Sequence, residues 1–184
     1  MRFSKSHGKI IFGIILSLTC TLTYLYAQQK EEKVRLSPKA SVAQTIGFTD
    51  VTISYGRPGV KDRKIWGGLV PYDKVWRAGA NEATKFTFST DVMIEGKKLP
   101  AGSYSFFTIP DKDSWTIIFN KVADQWGAFE YNEAEDALRF TVKPVSSDFT
   151  EWLKYEITKT SDSTATISLE WEKLKIPFKV EVKI

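Results

Sequence analysis

Outside two irregular stretches, period-two patterns of apolar side chains dominate the chain from Val51 to its last residue. An extended strand with one buried face produces that spacing, and a helix does not. In "VTISYG", Val51, Ile53 and Tyr55 share one face and Thr52 and Ser54 the other. "KFTFST" pairs Phe86 with Phe88, "ALRFTV" aligns Leu138, Phe140 and Val142, and "EWLKYEIT" aligns Leu153, Tyr155 and Ile157. "TISLEW" and the closing "PFKVEVKI" continue the rhythm, with Ile167, Leu169 and Trp171, then Phe178, Val180, Val182 and Ile184. "WTIIFN" (115–120) is apolar on both faces, as a strand in the middle of a sheet or sandwich must be. Roughly nine or ten short strands with no long helical period predict an all-β, single antiparallel β-sandwich or jelly-roll-like domain over 37–184. A short helical turn is expected near "NEAEDA" (132–137).

The N-terminus follows another logic. Arg2, Lys5 and Lys9 precede the apolar run "IIFGIILSLTCTLTYLYA", which ends at Ala27 before the polar "QQKEEK". A basic start, an apolar stretch and a small residue before a polar segment read as a secretory signal peptide over 1–27, cleaved near Ala27 with Leu25 at the other recognition position. The run is long for such a leader, so an uncleaved membrane anchor is the alternative, and the membrane enters only in that way. Cys20 follows "SLT", where a lipidation site would have a bulky aliphatic residue at Ser17. Residues 28–36, "QQKEEKVRL", read as a flexible solvated tail. The expected location is the periplasm or the extracellular space.

Cleavage there would change the available chemistry. The chain has one cysteine, Cys20, and one histidine, His7, and both lie in the leader. The remaining chain then offers no Cys-His or Ser-His-Asp nucleophile, no His- or Cys-ligated zinc and no disulfide. Taking the leader's three basic residues from the chain's 26 leaves 23 against 22 acidic ones, a net charge near +1. Phosphate-backbone binding needs a dense basic surface, so no nucleic-acid partner is expected.

The larger irregular stretch, about 56–82, reads "GRPGVKDRKIWGGLVPYDKVWRAGANE". A loop of this length is usually functional or disordered. Ile65, Trp66, Leu69, Val70, Val75 and Trp76 argue against disorder. The second stretch, "KVADQWGAFEYNEAED" (121–136), is aromatic and acidic.

"SPKASVAQTIG", "YGRPGVKDRKIWGGLVPYDKVWRAGANEAT", "GSYSFFTIP" and "DQWGAF" carry a resemblance from about Ser37 to beyond Phe140. The chain resembles a family of exported bacterial proteins, common in Bacteroidetes, catalogued as domain of unknown function 2911. The resemblance implies a secreted β-sandwich and brings no activity, cofactor or catalytic residue. Asp62, Asp73 and Asp111 stand where similar sequences often have glycine, which bears on the turn geometry at each place.

Arg57, Arg63, Tyr72, Trp76, Arg77, Asn81 and Glu82 are the candidate ligand-binding residues. A guanidinium grips a carboxylate, sulfate or phosphate in two parallel hydrogen bonds, and the aromatic rings can wall a pocket. On this reading the protein is a non-catalytic binder of a small anionic or sugar-like ligand, with no cofactor and no metal. The competing structural reading pairs Arg77 with Glu82, stacks arginines on tryptophans and uses Asn81 to cap a turn. Trp66, Trp76 and Trp126 likewise either stack on a ligand or cover the open end of the core.

Two other functions stay open. A glycosidase-like hydrolase would need two carboxylates. Glu82 is its weak catalytic candidate, because partial burial in the aromatic loop would raise its pKa, with Glu95, Glu130, Glu133 or Asp136 as partner. A structural or protein-interaction module of the envelope is the other. "DKDSW" begins like a calcium loop, but Thr116 and Val122 occupy its glycine and glutamate positions, so an EF-hand is rejected. Oligomeric state is not readable.

Overall fold

A computed structural model describes residues 34–184. The leader expected at 1–27 and the start of the tail at 28–33 lie outside the described residues. The described chain forms β1 (Lys39–Ile46), β2 (Thr49–Gly56), β3 (Thr84–Phe88), β4 (Val92–Ile94) and β5 (Lys97–Leu99). It continues through β6 (Gly102–Ile109), β7 (Trp115–Asn120), β8 (Asp136–Val142), β9 (Val145–Lys159) and β10 (Thr164–Val182). One sheet has the order β1-β2-β3-β6-β7-β8 and the other β5-β4-β10-β9, and every pairing within them is antiparallel. The result is the two-sheet antiparallel sandwich that the alternation predicts. The expected helical turn is a single 3-10 turn at Glu133–Glu135, capped by the Asn132 side chain.

The inward set of each strand is the set the alternation marks. Val51, Ile53, Phe86, Phe88, Phe106, Phe119, Leu169 and Phe178 are buried between the sheets. Phe86 and Phe106 lie 4.6 Å apart, and Phe178 stacks on Phe106 at 5.9 Å from the opposite sheet. Each such aromatic pair adds about 0.5–1.5 kcal/mol beyond the area it buries. β7 is apolar on both faces because both are covered. Its Ile118 joins Ala83 and Phe107 in a second small core beneath Val75, Ala128 and Tyr131.

Two expected strands are one. "TISLEW" and "PFKVEVKI" merge into β10, which is 19 residues long. Bulges flank Glu172, whose φ of 57° lets the ribbon bend without breaking. Pro177 falls between the last pairing with β9, at Lys175, and the first with β4, at Val180. No ladder there needs the N–H that proline lacks.

The long loop is packed. It buries Val60, Ile65, Val70 and Ala78. Gly59 bridges to Trp152 in β9, with Val60 N–H donating to the Glu151 carbonyl at 2.8 Å. Trp76 exchanges two backbone hydrogen bonds with Thr108 in β6, at 2.8 and 2.9 Å. The loop thereby stitches one sheet to the other. Asp62 and Asp73 stand at left-handed backbone positions, with φ of 56° and 57°. Aspartate tolerates that region better than most residues, so both turns form without glycine. Asp111 needs no such backbone, and its carboxylate accepts from the Lys112 N–H at 2.7 Å.

The tightest crossing lies where the loop returns over the end of β2. A Cβ built on Gly56 would sit 1.9 Å from the carbonyl oxygen of Ala80. Gly56→Ala is therefore expected to cost about 1–3 kcal/mol through overpacking. Thermal unfolding of the variant reads this as a fall in Tm, by about 2–4 °C per kcal/mol in a domain of this size. An unchanged Tm would mean that the crossing is looser than described.

Candidate functional site

The segment 76–82 crosses one end of the sandwich as a series of tight reversals. Ala78 is fully buried at φ 50°. Its carbonyl accepts from the hydroxyls of Tyr155 at 2.8 Å and Thr84 at 3.0 Å, both in buried positions. Burial pushes the Tyr155 phenol well up, so it stays protonated and donates. Asn81 is the second left-handed residue, at φ 64°. Its side-chain amide donates to the Ser37 carbonyl at 3.3 Å, and its own carbonyl accepts from Gly127 N–H at 3.0 Å. These bonds offset the strain and fix where Arg77 and Glu82 point.

Arg77 faces a cavity of about 540 Å³ that Arg35, Arg63, Leu69, Trp76, Asn81 and Trp126 also line. Its side chain is partly buried, and burial pulls its pKa down from the ordinary guanidinium value. The guanidinium Nε is sealed from solvent and has no acceptor among the described residues. No described carboxylate pairs with Arg77; Glu82 pairs instead with Arg35 and Lys39. Arg77 thus lines the cavity with a partly buried guanidinium that has no counter-ion from residues 34–184.

The other candidates divide. Arg63 reaches the same cavity but already donates to the Gly59 carbonyl at 2.6 Å and the Val60 carbonyl at 3.1 Å. Trp76 and Asn81 share the cavity with it. Arg57 does not join them: its Nε donates to the Leu153 carbonyl at 2.9 Å and ties the loop to β9. Tyr72 packs over Gly67, where a Cβ would meet the phenol ring at 2.7 Å. Trp66 packs against the core cluster, edge-on to Trp115 at 4.9 Å and to Trp171 at 5.7 Å. Trp126 stays 59% exposed on the rim.

Glu82 faces a neighbouring groove of about 690 Å³, with Lys39, Lys85, Gln125 and Trp126. The Arg35 guanidinium grips it in two bonds of 2.7 and 2.8 Å, and Lys39 lies at 3.3 Å. The hydrogen bonds from Arg35, aided by Lys39, outweigh partial burial and bring its pKa from the ordinary 4.5 down to about 2. The sequence-based expectation had the opposite sign. It counted the aromatic surroundings and missed Arg35, which lies 47 residues away. Arg35 sits in what reads as a flexible tail, and no local pattern in "KVRL" marks it as a partner. Among the other acidic candidates, Glu130 lines the same groove. Glu133 and Asp136 pair with Arg139, and Glu95 accepts from Lys179 N–H.

Two outcomes follow from these charges. Arg77→Met keeps the stem and removes a desolvated cation with no described partner, so it is expected to stabilise the fold by about 0.5–2 kcal/mol. A melting curve that falls instead would make Arg77 a structural residue. Glu82 has a lowered pKa, so the stability its ionic contacts supply is full above the ordinary carboxylate range and drains as pH falls from about 4.5 to about 2. Arg35 and Glu82 keep 38% and 36% of their side-chain surface exposed, so solvent screens the pair and its contribution is small. Glu82→Gln should therefore lower Tm slightly at pH 7 and match the parent near pH 2, in melts across that range.

The family model described as "Protein of unknown function (DUF2911)" matches residues 37–180. The match includes the long loop and continues through most of β10, well past the stretch whose motifs carry the resemblance. Comparison with curated proteins and with solved structures gives no match. With the matched segment spanning almost all of the sandwich and the whole of the Arg77 loop, this chain belongs to the DUF2911 family.

Proposed function

We propose that this protein is exported to the cell envelope and there binds a small anionic or carbohydrate-like ligand in the Arg77 cavity without transforming it. The observation that carries this reading is the partly buried guanidinium of Arg77, which has no described carboxylate. Holding a cation out of water without a partner costs stability, and such perturbed groups concentrate at functional sites. Trp76 and Trp126 supply apolar walls beside it, the composition expected of a small-molecule site. The leader reading of residues 1–27 supports export. The hydrolase reading loses its acid: at a pKa of about 2, Glu82 carries no proton to donate near neutral pH.

The test begins with protein recovered from the envelope fraction, whose first residue should be Gln28. Its melting temperature is then followed against simple anions and monosaccharides. A bound ligand at a hundredfold excess over its Kd adds about 2.7 kcal/mol, or roughly 5–11 °C at this domain size. Arg77→Met should abolish that shift while keeping the fold. Equal shifts in parent and variant would remove the cavity from the function.

A further inference from the structure

We infer that the ligand of the Arg77 cavity is an organic monocarboxylate on a flat apolar body, entering carboxylate first. This deepens the binding function proposed above and rests on it. Three arginines border the cavity, and two are already engaged. Arg35 spends both terminal nitrogens on Glu82. Arg63 spends Nε and Nη2 on backbone carbonyls. Arg77 makes no such bond among the described residues, and its Nε is sealed. What remains is the pair of Arg77 terminal nitrogens, beside the single uncommitted Nη1 of Arg63. The spacing of the Arg77 fork matches the two oxygens of a carboxylate.

The rest of the cavity narrows the class. No aspartate or glutamate lines it, and the Asn81 amide nitrogen is committed to the Ser37 carbonyl. A sugar would bring several hydroxyl donors and find few side-chain acceptors, leaving polar groups unpaired at a cost of about 1–3 kcal/mol each. An inorganic phosphate or sulfate would satisfy Arg77 with two oxygens and turn the others toward indole and leucine surfaces, where nothing replaces their water. Those surfaces suit a planar ring instead. Trp76 is held rigid by stacking on Trp171 at 5.9 Å and 16°. Trp126, 59% exposed, and Leu69, 48% exposed, stand at the mouth with apolar surface uncovered. About 540 Å³ accommodates one or two fused rings with an acidic side arm.

Isothermal titration calorimetry of the purified protein tests this with indole-3-acetate and phenylacetate, the neutral indole-3-acetamide, inorganic phosphate and glucose. The acids should bind at least ~10-fold more tightly than the amide, since the fork's charge-assisted bonds are lost with the carboxylate. Arg77→Met should weaken the acids at least ~10-fold and erase their advantage over the amide. Trp126→Ala, at an exposed position that spares the core, should weaken acid and amide alike by removing a stacking wall. Acid and amide binding equally would overturn the inference. So would phosphate or glucose binding through Arg77 as tightly as the acids, an outcome that leaves the proposed binding function standing. Binding of none of the probes would overturn both.

Discussion

Four tryptophans make the contact on which the loop-bearing end of this molecule depends. Trp66 and Trp76 come from the long loop, Trp115 from β7 and Trp171 from β10, so loop and both sheets meet in one cluster. Residues 34–184 contain neither cysteine nor histidine, and no disulfide can hold the loop to the sandwich there. Ring packing and backbone bridges to Thr108 and Trp152 hold it instead. A loop anchored through its apolar side chains can carry polar groups in strained positions without unravelling. Ala78 and Asn81 show this, both left-handed and both held by hydrogen bonds to other elements.

The electrostatics of the site follow from that backbone. Arg77 and Glu82 are close in sequence, and the reversals between them leave the two side chains lining different hollows. Glu82 is taken by Arg35 and Lys39, so the carboxylate nearest in sequence cannot compensate Arg77. The Arg35–Glu82 pair also stands between cavity and groove, contributing one member to each lining. On the proposed binding function, stability and binding pull in opposite directions at Arg77, where a desolvated cation lowers one to serve the other.

Much of the fold was legible because alternation records burial directly. Val51, Ile53, Phe86 and Phe178 are inward for the reason their spacing gives. Even the two-faced β7 declared that both of its faces are covered, because Ile118 has its own cover. Strand ends were harder to read. "TISLEW" and "PFKVEVKI" look separate because Glu172 to Pro177 breaks the pattern, yet a bulge and a change of partner carry one strand through. The candidate site was half legible. The loop's aromatics marked a packed region, and Arg63, Trp76, Arg77 and Asn81 do meet in one cavity. Arg57 and Tyr72 have the same residue character but spend it on holding the loop.

From its order of residues alone, this chain determined which side chains face inward and that the 56–82 segment is packed, since burial leaves a local periodic trace. It also determined which chemistries residues 34–184 lack, because a missing histidine or cysteine cannot be supplied by folding. Tertiary structure alone decided the partners. Arg35 reaching Glu82, Ser37 reaching Asn81 and Trp171 backing Trp76 each join positions dozens of residues apart. Charge and ring pairing act through space over a few ångströms, and no spacing along the chain encodes them.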